Sequence, residues 1–155
     1  MSDKVPVVIN INNKDVILKV ESRLLLVDLL RNKLELTGTH IGCDTSQCGS
    51  CIVMLDEKCI KSCSIFAVQC DKKTIKTIES IGKENNLSNV QRAFKENHGL
   101  QCGFCTPGFI MTAIECKKNN LSTEEEVRDF LDGNFCRCTG YQNIVKSITS
   151  FLKMS

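Results

Sequence analysis

Hydrophobic and polar positions change their rhythm once along the chain, near residue 80. Before that point they recur mostly every second residue, with one leucine-rich helical stretch between. In "VPVVININ" the alternation runs at the end of the segment, and in "DVILKV" it runs from Val16 to Val20, with Asn12-Asn13-Lys14 between the two. That pattern predicts two strands joined by a hairpin turn. "SRLLLVDLLRNKLEL" then puts Leu26, Leu29, Leu30 and Leu34 on one helical face, with Gly38 placed to close the helix. "CIVMLD" and "KTIKTIES" predict further strands, and "SCSIFAVQC" is a short apolar stretch between them. The expectation is a small sheet wrapped around one helix.

After the polar linker "IGKENNLSN" the period becomes helical. "NVQRAFKENHG" places His98 near a carboxyl end and Gly99 as its stop. "TPGFIMTAIECKKNN" predicts a helix with Thr106 as N-cap and Pro107 in the first helical position. "STEEEVRDFLDGN" carries a capping box from Thr123 to Glu126 and a terminating Gly133. "NIVKSITSFLKM" lines up Ile144, Ile148, Phe151 and Leu152. Four short helices imply a small bundle. The two halves share neither period nor cysteine spacing, so there is no internal repeat.

Composition narrows the function classes. The 155 residues are 42% hydrophobic and 25% charged, with a net charge of +2. No long basic run occurs and aromatics are 5%, which argues against a nucleic-acid partner. The first residues, "MSDKVPVVIN", have no leader-like apolar segment, and no apolar run is long enough to span a bilayer. A cytoplasmic, reducing location is expected, and there eleven cysteines stand out. Clustered cysteines in such a compartment ligate metal or perform redox chemistry more often than they form disulfides.

The cysteines fall into two groups. Cys43, Cys48 and Cys51 form C-x4-C-x2-C in one loop, and Cys63 follows after eleven intervening residues. Plant-type [2Fe–2S] proteins use this spacing, although their last cysteine usually lies further along. Small residues (Thr45, Ser46, Gly49 and Ser50) let the backbone wrap closely and turn N–H groups toward anionic sulfurs. Spacing favours Cys63 as fourth ligand and leaves Cys59 available. Cys59, Cys70 and Cys116 otherwise read as small buried hydrophobes. The second group is Cys102-x2-Cys105 and, after thirty intervening residues, Cys136-x-Cys138. A dithiol–disulfide reading of the first pair would need a βαβ context and leaves "CRC" without a purpose. A four-cysteine zinc site, in a structural or adaptor protein, competes with iron–sulfur here; C-x-C is uncommon among zinc folds and tips the spacing toward iron–sulfur.

The blocks "GCDTSQCGSCIVMLDEKCIKSC", "HGLQCGFCTPGFIM" and "GNFCRCTGYQNIV" resemble the iron–sulfur subunit of the xanthine dehydrogenase/aldehyde oxidase family, the molybdenum hydroxylases. The resemblance covers roughly residues 5–150. "CDTSQCGSC" looks most like small subunits of carbon monoxide dehydrogenases and aldehyde oxidoreductases. It implies an α+β architecture: an N-terminal β-grasp, plant-ferredoxin-like domain (1–80) and a C-terminal four-helix [2Fe–2S] domain (81–155). It also implies the ligands: Cys43, Cys48, Cys51 and Cys63 for one [2Fe–2S] cluster, Cys102, Cys105, Cys136 and Cys138 for the other, with Cys59 extra. By the same resemblance Gln101 and Cys138 lie near the pterin of a molybdenum cofactor; read as a residue alone, Gln101 is an ordinary polar side chain at a helix junction.

The resemblance further implies an electron relay from a molybdenum–pterin large subunit to an FAD-bearing medium subunit, in a heterotrimer or a dimer of heterotrimers. No acid–base pair or nucleophile suggests turnover by this chain itself. His98 reads as a helix-end residue and His40 as a loop residue beside the first cysteine group.

Overall fold

The computed structural model describes residues 4–154; residues 1–3, which open the segment read above for a leader, and Ser155 lie outside the described residues. Strands β1 (Lys4–Ile11) and β2 (Lys14–Glu21) form the expected antiparallel hairpin, with Val8 opposite Ile17 and Ile11 opposite Lys14. Its turn works because Asn12 and Asn13 both accept positive φ, at 52° and 65°. Alternation delivers Val7, Ile9 and Ile11 to the interior and leaves Val8 and Ile17 outside.

The next three strands are β3 (Ile52–Leu55), β4 (Lys58–Lys61) and β5 (Thr74–Lys76). Together with the hairpin they make one five-stranded sheet in the order β2-β1-β5-β3-β4. β5 runs parallel to β1 and antiparallel to β3. One face packs on the leucine helix: Leu26, Leu29 and Leu30 join Val7, Ile9, Val53 and Ile75 in a first core. β3 is apolar on both faces for a reason. Its Val53 enters that core, while Ile52 and Met54 turn the other way, onto Met111 of a later helix.

The leucine helix is shorter than its pattern predicts. One α-turn, α1 (Leu26–Asp28), runs into a π-helical turn over Leu29–Lys33. Glu35 then takes the left-handed conformation, at φ 57°, which ends the helix. Gly38 is not the cap; its N–H donates to the Glu79 carboxylate at 2.8 Å. The wider π turn holds Leu29 and Leu30 fully buried and leaves Leu34 and Leu36 to pack at the edge.

Four helices follow: α2 (Asn89–Glu96), α3 (Thr106–Lys118), α4 (Glu124–Phe130) and α5 (Gln142–Leu152). Their buried faces form a second core around Phe94, Phe109, Val127, Ile144 and Ile148. Ser88 and Thr123 cap α2 and α4 through capping boxes with Gln91 and Glu126. Two expected termini differ. After α2 it is His98 that takes the left-handed position, at φ 54°, while Gly99 is needed for space: a Cβ there would lie 2.4 Å from Ser147 Oγ. α3 is capped by Cys105, whose carbonyl accepts from the Phe109 N–H at 3.2 Å, so Thr106 is already helical and its buried hydroxyl has no partner. Among the described residues no helix is long and apolar enough to cross a membrane.

Candidate metal centres

The first cysteine group sits on the loop between α1 and β3, with Cys63 on a 3₁₀ turn (Ser62–Ser64) after β4. The hairpin between β3 and β4 returns the chain to the loop and so brings Cys63 beside Cys51, with Sγ–Sγ 3.3 Å. Cys43 is in side-chain contact with Cys48. Ser62 fixes this corner: wholly buried, its hydroxyl donates to the Cys51 carbonyl at 2.7 Å.

The second group is assembled from the turn ahead of α3 and the loop between α4 and α5. Cys138 Sγ lies 3.6 Å from Cys102 Sγ, and Cys105 touches Cys136. Cys102 and Cys138 are exposed, whereas Cys136 is buried and Cys105 half-buried. Thr139 and Tyr141 hold the CRC loop. Thr139 donates to Cys136 Sγ at 3.2 Å, and the Tyr141 hydroxyl accepts from the Cys136 N–H at 3.0 Å.

The eight thiols are thus arranged as four pairs: 43 with 48, 51 with 63, 102 with 138, and 105 with 136. Two thiolates on one tetrahedral metal at about 2.3 Å stand about 3.8 Å apart, close to the 3.3 Å of Cys51–Cys63 and the 3.6 Å of Cys102–Cys138. Two such pairs in each group suit a two-metal centre with two thiolates on each metal.

Local donors favour the anionic form at two of the eight thiols, whereas Cys51, Cys105 and Cys138 are raised. Backbone N–H groups of Cys48, Thr45 and Gln47 surround Cys43 and lower its thiol to about 6. Thr139 and the N–H groups of Cys138 and Thr139 lower Cys136 despite its burial. Burial pushes Cys51 up to about 11 and Cys105 up to about 12, values that a bound metal cation would reverse.

The remaining cysteines are packed elsewhere. Cys70 and Cys116 are wholly buried in the two cores. Cys59 packs beside Ile52, Met54 and Met111, and its N–H donates to the Glu115 carboxylate. Burial, and then Glu115, push its thiol far above the ordinary value. Gln101 is exposed next to Cys102, on a rim with the exposed apolar side chains Leu100 and Phe104.

The two cysteine loops touch each other directly. Phe135 N–H donates to the Cys48 carbonyl at 2.9 Å. A Cβ on Gly108 would lie 2.1 Å from the Gly49 carbonyl, and one on Gly49 would lie 2.5 Å from the Gly133 carbonyl, so three glycines form a backbone seam. His40 closes it: its ring stacks on Phe104 at 4.5 Å, and Nδ1–H donates to the Phe104 carbonyl at 2.7 Å. Beside the seam an open cavity of ≈ 640 Å³ is lined by Ser46, Gln47, Lys61, Asn134 and Phe135 among others. Sequence reasoning missed Lys61, Asn134, Thr139 and Tyr141. Their one signal was position, each lying within three residues of a cysteine.

Comparison with known proteins points the same way. A model described as a 2Fe-2S iron-sulfur cluster binding domain matches residues 9–79. A second, described as a [2Fe-2S] binding domain, matches residues 77–149. Caffeine dehydrogenase subunit gamma of Pseudomonas sp. (strain CBB1) is 44% identical over 146 residues, covering 92% of this chain and 87% of that protein. The aldehyde oxidoreductase iron-sulfur-binding subunit of Escherichia coli (strain K12) is 35% identical over 159 residues, covering 92% and 69%. The crystal structure of quinoline 2-oxidoreductase from Pseudomonas putida 86 superposes with a TM-score of 0.91 at 39% identity, covering 97% of this chain and 95% of that one.

Proposed function

The chain belongs to the iron–sulfur small subunits of the xanthine dehydrogenase/aldehyde oxidase oxidoreductases, and from that premise we propose that it relays electrons through two [2Fe–2S] clusters. The ligands proposed are Cys43, Cys48, Cys51 and Cys63 for the first centre, and Cys102, Cys105, Cys136 and Cys138 for the second. The observation that carries this reading is the pairing of the eight thiols within two groups whose loops meet at a backbone seam. When bound, such clusters accept and release one electron at a potential set by hydrogen bonds and exposure.

The chain's own residues would do three things. The thiols hold the irons in pairs. The N–H groups around Cys43 and Cys136 offset thiolate charge. The seam keeps the two loops at a fixed separation.

The exposed Cys102–Cys138 edge would meet the subunit that holds a molybdenum–pterin cofactor, with Gln101 and Cys138 nearest the pterin. The first centre would serve FAD in a medium subunit of a heterotrimer or its dimer. Apolar Leu100, Phe104 and Phe135 around the exposed cysteines suit a covered surface. Residues 1–80 and 81–155 would be the two cluster-holding domains, each with its own core.

Anaerobic purification followed by iron and sulfide analysis tests the reading. About four irons and four sulfides per chain, with two distinct rhombic resonances after reduction, are expected. A zinc-loaded chain with no resonance would overturn it.

A further inference from the structure

We propose that Lys61 is a positioning residue that aims two backbone N–H groups at the Cys43 sulfur and thereby raises the reduction potential of the first centre. The inference rests on the two-cluster reading above. It starts from four hydrogen bonds on two adjacent peptide units. The Lys61 ammonium donates to the carbonyls of Ser46 at 2.8 Å and Gln47 at 3.2 Å. The N–H groups of those same two units, on Gln47 and Cys48, each point at Cys43 Sγ at 3.4 Å.

A trans peptide is planar and carries its C=O and N–H on opposite edges. An ammonium gripping one edge of both units therefore turns the other edge toward the sulfur. The two groups also polarise each other along the unit: a cation on the oxygen makes the N–H a stronger donor. The clamp has strain to hold. Ser46 sits at φ 56°, a conformation that a non-glycine residue keeps only when its surroundings enforce it.

The site is built to admit the ammonium and leaves its charge uncancelled. Gly133, at φ 91°, faces Lys61, and a Cβ there would lie 3.0 Å from Nζ. Among the described residues no carboxylate forms an ion pair with Lys61. Lys61 reaches this place because β4 ends there, two residues before Cys63. Reduction adds a negative charge to the centre. Both an unpaired cation and strengthened N–H donors favour the reduced form, so losing them must lower the potential.

The test is a redox titration of the full chain with both centres in place, each followed by its own paramagnetic resonance. Lys61→Met should lower the reduced-to-oxidised ratio of the first centre at fixed potential at least tenfold, about 59 mV for one electron. Lys61→Arg, which keeps the charge and the donors, should stay within about threefold of the unsubstituted chain, and the second centre should be unmoved in both. If Lys61→Met does not assemble the first centre, Lys61→Gln, which keeps a donor and drops the charge, is titrated in its place. A first-centre potential unchanged in the neutral variant overturns the proposal, as does an equal shift of both centres. No resonance at all in the unsubstituted chain refutes the cluster reading instead.

Discussion

Gly108→Ala isolates the backbone seam. Gly108 is buried in the first turn of α3, so alanine suits its backbone conformation and only space opposes it. The added Cβ would lie 2.1 Å from the Gly49 carbonyl oxygen. Close C–H···O contacts settle near 3.3 Å, so α3 and the first loop must part by about 1.2 Å. α3 cannot retreat freely, because Met111, one turn on, is wholly buried against Ile52 and Met54. Overpacking of this kind costs about 1–3 kcal/mol. For a chain of this size about 2 kcal/mol corresponds to a melting point about 4–8 °C lower. Gly140→Ala is the comparator: its φ of 62° imposes left-handed strain of about 1 kcal/mol, and nothing lies within 4 Å of the new methyl group. Thermal melts of both variants, with amide exchange at Phe135, read the outcome. Gly108→Ala should melt lower than Gly140→Ala and exchange faster at Phe135, since its N–H···O=C bond to Cys48 spans the strained seam. If Gly108→Ala melts at or above Gly140→Ala with Phe135 still protected, the seam does not hold the loops together.

Other outcomes follow from the same geometry. Cys63→Ser should abolish one of the two resonances, whereas Cys59→Ser, replaced in the packing beside Met54 and Met111, should leave both. Ser62→Ala removes the buried donor to the Cys51 carbonyl and should cost about 1–2 kcal/mol, read as a lower urea midpoint. Glu126 accepts from the N–H groups of Ser122 and Thr123, which lowers its carboxyl from 4.5 to about 2. A depressed folded-state value stabilises above the unfolded one and fades as pH falls through the folded one. The gap in urea midpoint between the unsubstituted chain and Glu126→Gln should therefore be full above about pH 4.5 and narrow steadily toward pH 2.

Much of this was legible in the sequence. Alternation in β1 and β2 read directly, because one face of the hairpin is buried and the other wet. Capping boxes at Thr123 and the start of α5's apolar stripe were local signals and held locally. The π turn was not legible, since Leu29 and Leu30 satisfy a 3.6-residue period equally well whichever carbonyl their neighbours choose. His98 took the left-handed position expected of Gly99 because packing against Ser147, a long-range contact, claimed the glycine. The pairing of thiols could be counted but not matched until β4 and the CRC loop were brought back. Lys61 looked like an ordinary strand-end lysine; its partners are carbonyls fifteen and fourteen residues away, which carry no side-chain signature.

The seam between the two cysteine loops is made of main chain: a Phe135-to-Cys48 hydrogen bond and three glycines packed carbonyl to α-carbon. Tunnelling between two redox centres falls off exponentially with their separation. A spacer built from side chains would flicker in length with every rotamer change, and each substitution would reset it. Backbone packed on backbone has no rotamers to change its length. On the relay proposed above, the internal step between the two centres would be set by main chain and not by the rotamer of any side chain.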